Sequence, residues 1–234
     1  MQLAYNVRHI GGYTTKSGAL TSDSLVRAGS LHRLTEAGMG ALADTGVRTI
    51  VDLRSQVERE RDVTPDVERF GITRVNAPVF EQDASPVGLS GEFPGFAAVY
   101  PRMLESGTKA YRALFETVAD TEGGVLFHCA AGKDRTGVAA ALLLSLADVD
   151  DATILADFEI SETLLAPILN EWLPKMAERG LTEERARAIM ASKAPDMAAT
   201  LQHIRTRYGS AEGYLAEIGV AAPAVDAVRA RVIA

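Results

Sequence analysis

The chain predicts an α/β fold: a central, mostly parallel sheet flanked by helices, with a helical C-terminal flank or lid. Three observations carry this expectation. Apolar, β-branched runs alternate with helix-like stretches up to about residue 147, as they do where crossover helices join parallel strands. Beyond Asp150, Leu, Ile and Ala recur at three- and four-residue spacing without a further strand-like run. Finally, 234 residues with 47% hydrophobic content can bury one sizeable core. We therefore read 1–234 as a single domain.

Taken in order, residues 1–31 read as short strands and turns around Gly11-Gly12 and Ser17-Gly18. Thr35 is placed to cap a helix that ends near Gly46. Val47 to Leu53 is a β-branched, largely apolar run followed by Arg54, which reads as a buried parallel strand. Ile72 to Val79 reads as the next strand, and Glu81 to Gly95, rich in Pro, Gly and Ser, as a mobile loop. Helices follow over Ala97 to Leu104 and Thr108 to Asp120, then a strand over Val125 to His128 and a long helix from Arg135. The helical remainder breaks at Pro174, Gly180, Pro195 and Gly219.

The junction between that last strand and its helix carries the chemistry. It reads His128-Cys129-Ala130-Ala131-Gly132-Lys133-Asp134-Arg135-Thr136-Gly137. The first N–H groups of a helix have no intrahelical partner and sit at the positive end of its dipole, so a glycine-containing loop leading into a helix makes an anion site. The only cysteine of the chain lies at the start of this loop, with an arginine six residues later. Helix dipole and guanidinium both favour a thiolate there, which places a nucleophile beneath a bound tetrahedral oxyanion. Backbone N–H groups from Ala130 to Arg135 complete the cradle. That includes Ala131, Gly132, Lys133 and Asp134, and alanine suffices at 130 and 131 because the side chains there do not matter. Arg135 should hold two phosphate oxygens through its planar fork.

Composition narrows the partners. A net charge of −7 argues against general nucleic-acid binding, which needs a basic face. No apolar run reaches the roughly eighteen residues of a membrane span, and the N-terminus lacks a Sec-type signal. One cysteine excludes an intramolecular disulfide and fits a reducing compartment. The expected location is the cytoplasm. No histidine stands in a metal-ligand spacing, so neither metal nor other cofactor is expected. Composition says nothing of oligomeric state.

The loop string matches the Cys-x5-Arg signature of the cysteine phosphatases, and the chain resembles the atypical bacterial tyrosine phosphatases similar to those secreted by mycobacteria. The likeness extends to Asn6-Val7-Arg8, Gly11-Gly12-Tyr13, Arg27-Ala28-Gly29-Ser30-Leu31, Asp52-Leu53-Arg54-Ser55, Tyr208-Gly209-Ser210 and Gly213-Tyr214-Leu215. The resemblance implies a cysteine-phosphatase-like fold and hydrolysis of phosphotyrosine through a phosphocysteine on Cys129, with phosphorylated protein or phosphoinositide as substrate. It nominates Asp134 as the general acid and roughly Glu162 to Met190 as a lid; an apolar stripe there fits ordinary core packing equally well. It also brings Tyr100 and Met103 to the substrate approach, where helix packing is the default.

Several roles stay open at this point. Positive charge on both sides of Asp134 opposes the proton that an acid must carry, so Glu81 and Asp83 remain alternatives. His128 should shape the loop by bonding its backbone. Thr136 should donate to the sulfur or cap the helix. Asp52 is expected to brace the loop, while Arg54 either braces it or touches substrate. Lys133 should add a point charge at the mouth that favours polyanionic substrates. Alanine at 130, where the best-known lipid phosphatases place a second lysine, weakens the lipid reading. The rivals are a phosphate-binding module without turnover, a rhodanese-like sulfurtransferase, against which the Lys-Asp-Arg-Thr-Gly ending speaks, and an arsenate reductase, which needs further cysteines.

Overall fold

The computed structural model describes residues 4–80 and 93–233. Five strands form one sheet: β1 (Arg8–His9), β2 (Leu25–Ala28), β3 (Val47–Asp52), β4 (Thr73–Asn76) and β5 (Gly124–His128), in the order β1-β2-β5-β3-β4. Only β1 runs antiparallel to its neighbour; the other pairs are parallel. Alternation within β5 divides the apolar interior. Val125 and Phe127 face a core built on helices α3 (Phe96–Ser106), α4 (Thr108–Asp120) and α5 (Asp134–Leu146), while Leu126 faces a smaller cluster with α1 (Glu36–Asp44). The α5 stretch from Thr136 to Leu144 is buried without interruption, as expected of a helix apolar on every side. Its N-terminus meets the carboxyl ends of β2, β3 and β5, where ligands bind in open α/β sheets.

The expected elements are present with instructive differences. Thr35 caps α1 by accepting from the Gly38 N–H, as its position predicts. The strand expected over Ile72 to Val79 is shortened to β4, because Pro78 has no N–H to extend the ladder; Ala77 and Val79 still donate to Asp52 and Leu53. An unexpected short helix, α2 (Gln56–Arg61), follows β3 and carries a complete capping box between Ser55 and Glu58. The break expected at Pro174 is absent. Helix α6 (Asp151–Glu178) runs through Pro167 and Pro174, packed on its neighbours, and ends where Gly180 adopts a left-handed φ of 85°. Helices α7 (Glu183–Met190), α8 (Ala194–Tyr208), α9 (Ala211–Glu217) and α10 (Ala222–Val232) complete the flank. Of the loop expected over Glu81 to Gly95, residues 81–92 lie outside the described residues.

Candidate active site

Cys129 follows the last residue of β5, 2% exposed, and the loop after it turns into α5 at Asp134. The turn depends on Gly132, whose φ is 68°. A Cβ there would lie 2.4 Å from the backbone of Ala28, so only glycine fits. The loop's carbonyls all find donors directed away from its centre. Ser30 N–H donates to Ala130 O (2.9 Å) and Gly137 N–H to Lys133 O (2.7 Å). The Asn6 side-chain amide donates to Ala131 O (3.1 Å) and Gly132 O (2.9 Å), and Arg27 Nη2 to Gly132 O (2.9 Å). Among the described residues, no N–H from Ala130 to Thr136 donates to a protein acceptor. A ring of unspent donors at a helix N-terminus is an oxyanion cradle.

Arg135 is oriented by a residue that the sequence reading missed. Its Nη1 and Nη2 donate to Glu58 Oε2 (2.6 Å) and Oε1 (2.7 Å), a bidentate pair in which both side chains are 13% exposed. Burial alone would raise the Glu58 carboxyl. The Arg135 fork and the Ser55 N–H outweigh it and hold the group at about 2. Burial likewise works against the Arg135 charge, and Glu58, Cys129 and Asp134 together more than restore it, leaving the guanidinium above its ordinary value. The signal for Glu58 was present as Ser55-x-x-Glu58, a capping box directly after a buried strand.

Behind this pair, Asp52 and Arg54 form a second, fully buried one. Arg54 donates from Nε and Nη2 to Asp52, from Nη1 to Ser30 Oγ and Asp62 O, and from Nη2 to Thr64 Oγ1. Every N–H of the guanidinium is used inside the protein, so Arg54 braces the wall and has no donor to offer a substrate. His128 Nδ1 lies 3.2 Å from Cys129 O; its Nε2 is 3.5 Å from Asp52 Oδ2 but makes no hydrogen bond. Burial is the largest influence on this imidazole and lowers it despite Asp52, so it is neutral at pH 7.

Asp134 reaches the mouth, its side chain 24% exposed. Tyr100 Oη donates to its Oδ1 at 2.6 Å, and Lys133 Nζ stands 3.1 Å from the same oxygen. Burial, and after it the Asp134 charge, keep the Tyr100 phenol well above its ordinary value, so it remains a donor. Tyr100 and Met103 themselves are packed into the core at 0% and 2% exposure.

Two expectations are corrected by this geometry. Lys133 is not a free charge at the mouth. It is fully buried, donating to the carbonyls of Ile189 (2.6 Å) and Ala191 (2.8 Å) at the end of α7, with its ammonium 3.9 Å above the Phe96 ring. The unsatisfied carbonyls of a helix C-terminus are a natural seat for a cation. Thr136 neither caps α5 nor bonds the sulfur; its hydroxyl is buried without a partner. Glu81 and Asp83 lie outside the described residues.

Comparison with known proteins shows the family. Residues 1–234 match the tyrosine phosphatase family. The chain belongs to that family. This phosphatase is 31% identical to a tyrosine-protein phosphatase of Nostoc commune, over 92% of its own length and 76% of the relative's. A putative tyrosine-protein phosphatase of Cupriavidus necator is 29% identical over 90% and 80% of the two chains. The triple specificity protein phosphatase PtpB of Mycobacterium tuberculosis is 27% identical over 97% and 95%. Among the described residues of this phosphatase, no helix is long and apolar enough to cross a membrane.

Proposed function

We propose that this phosphatase hydrolyses phosphotyrosine in two steps on Cys129. The thiolate attacks phosphorus in line, the P–O bond to the tyrosyl oxygen breaks, and Asp134 gives that oxygen a proton. Water then displaces the sulfur, returning its proton to Asp134 and releasing phosphate. Arg135 and the N–H groups of residues 130–135 hold the equatorial oxygens as charge builds on them. The observation that carries this reading is the cradle itself: unspent N–H groups ring the lone cysteine, and every carbonyl behind them is satisfied.

For the acid, Asp134 is favoured because Tyr100 donates to Oδ1 and Lys133 pairs with the same oxygen, which leaves Oδ2 for the leaving group. Asp134→Asn and Glu81→Gln, compared on an aryl and an alkyl phosphate, test that assignment, since loss of the acid harms the poorer leaving group far more. Residues 162–190, the later part of α6 with α7, are read as a lid within a single phosphatase domain. Leu165, Ile168 and Met190 cluster on Ala131 and Tyr5, and Lys133 is tied to the end of α7. Phosphoinositides are a secondary substrate class, suggested by the triple specificity of the mycobacterial relative and set back by the burial of Lys133. The lone thiol suits the cytoplasm, or export by a route without a Sec signal.

The primary test is hydrolysis of p-nitrophenyl phosphate by the wild type with Cys129→Ser as control. Turnover confined to the wild type is expected. Absence of turnover anywhere between about pH 5 and 8 would leave a phosphate-binding module or a sulfurtransferase in its place.

A further inference from the structure

A peptide unit that turns its N–H toward a central anion turns its carbonyl into the protein behind. A buried carbonyl left without a donor is costly, so the inward N–H orientation is only as secure as the donors at its back. Two of the loop's carbonyls are satisfied by neighbouring main chain, those of Ala130 and Lys133. The other two depend on side chains more than a hundred residues away in sequence. Ala131 O rests on the Asn6 amide alone, and Gly132 O on Asn6 together with Arg27.

Both side chains are buried and both are held in turn. Asn6 is 3% exposed and sits at φ 53°, a left-handed conformation that asparagine tolerates better than most residues. Its Oδ1 accepts from Arg8 Nη1, which fixes which end of the amide faces the loop. Arg27 is fully buried, with Nη1 paired to Asp157 of α6. Asp157 also accepts from Arg8 Nε (2.9 Å) and Tyr13 Oη (3.0 Å), and Arg8 Nη2 donates to Ser161 Oγ (3.1 Å) on the next turn of the same helix. Burial lowers the Arg27 guanidinium, against the pull of Asp157, to about 10, which leaves it charged at neutral pH.

We propose that Asn6 and Arg27, anchored through Arg8 and Asp157, are positioning residues of the phosphate cradle. Their donors on Ala131 O and Gly132 O keep the loop N–H groups turned toward the phosphate. The inference deepens the phosphatase reading and rests on it. It also ties the loop to α6, whose Asp157 and Ser161 share the brace while Leu165 and Ile168, further along, pack with Ala131.

Two substitutions isolate the amide of Asn6. Asn6→Gly keeps the left-handed backbone at no steric cost and removes the donor. Asn6→Asp keeps the size and presents an acceptor to two carbonyls. The readouts are kcat and KM for p-nitrophenyl phosphate, the inhibition constant of orthovanadate, and the thermal midpoint, each taken where the variant is folded. An oxyanion-hole donor is worth about a hundredfold or more, so a donor acting one step behind it should be worth about ten- to a hundredfold. Both variants are expected to lose that much in kcat/KM and to bind orthovanadate more weakly by a similar factor. A lower midpoint with kcat, KM and orthovanadate affinity all unchanged would overturn the proposal, because that is how a merely structural residue behaves. A wild type without turnover would sink the phosphatase reading instead. The brace would then be judged by calorimetric titration of inorganic phosphate into wild type and variants, where equal affinity again refutes it.

Discussion

Replacing Glu58 by glutamine tests the electrostatic account of the site most directly. The bidentate pair with Arg135 holds this carboxyl at about 2, against 4.5 when unperturbed. At about 1.4 kcal/mol per pH unit that corresponds to about 3 kcal/mol of preference for the folded, ionised form. The folded value lies below the unfolded one. The contribution is therefore complete above pH 4.5 and drains away as pH falls toward about 2. Urea unfolding of wild type and Glu58→Gln at matched pH isolates it. The stability gap between them should be widest at neutral pH and should narrow by about 3 kcal/mol across that window. A gap that stays constant from neutrality down to pH 3 would refute the reasoning, since the pair would then contribute nothing that depends on its charge. The same substitution loosens one arm of the Arg135 fork. Misplacing a catalytic group by about 1 Å can cost a hundredfold, so kcat/KM should fall about ten- to a hundredfold.

Other consequences follow from contacts around Asp134 and Lys133. Tyr100→Phe removes the phenol that fixes Asp134 Oδ1; a hydrogen bond to a charged group is worth about 1.5–3 kcal/mol. Turnover should fall about tenfold, more on an alkyl than on an aryl phosphate, and an equal loss on both would show that Tyr100 does not act through the acid. Lys133→Met removes the donor to Ile189 O and Ala191 O. Amide hydrogen exchange around residues 189–191 should then accelerate at least severalfold while β5 stays protected, and unchanged exchange there would mean that the lysine does not hold the end of α7.

How much of this was legible in the sequence depended on whether a signal was local. The string from His128 to Gly137 announced strand, loop and helix together, because apolar run, glycine and helix start all fall within a few residues. Thr35 likewise announced its helix. Glu58 carried a local signal too, the capping box, but only as a helix start. That its carboxylate also clamps Arg135, 77 residues later, follows from β3 and β5 lying side by side. The place of Lys133 was not legible at all: charge and loop position suggested the mouth, whereas its four-carbon stem reaches the carbonyls at the end of α7. Pro174 misled for the opposite reason: α6 carries this exposed proline without a break, with Trp172 and Met176 on either side of it half-buried against Leu165 and Ile168.

The balance of charge around the loop bears on which substrate it suits. Arg8, Arg27, Arg54, Lys133 and Arg135 are five cations, set against four carboxylates in Asp52, Glu58, Asp134 and Asp157. Each of the five cations lies in an ion pair with one of these carboxylates. The cradle therefore lacks an excess of positive charge with which to attract an anion from a distance. Its hold comes from short, directed N–H groups and from one guanidinium that Glu58 keeps in place. Such a site grips a single phosphoryl group well and gains little from further phosphates nearby, because fixed dipoles act over a few ångströms where free charge acts over a Debye length. A polyanionic inositol headgroup would call for a second cation, and Lys133, within the loop itself, is held by Ile189 O, Ala191 O and Asp134. Under the proposed reading phosphotyrosine needs none of those contacts broken, whereas recruiting Lys133 to a phosphoinositide headgroup would mean breaking its bonds to Ile189 O and Ala191 O.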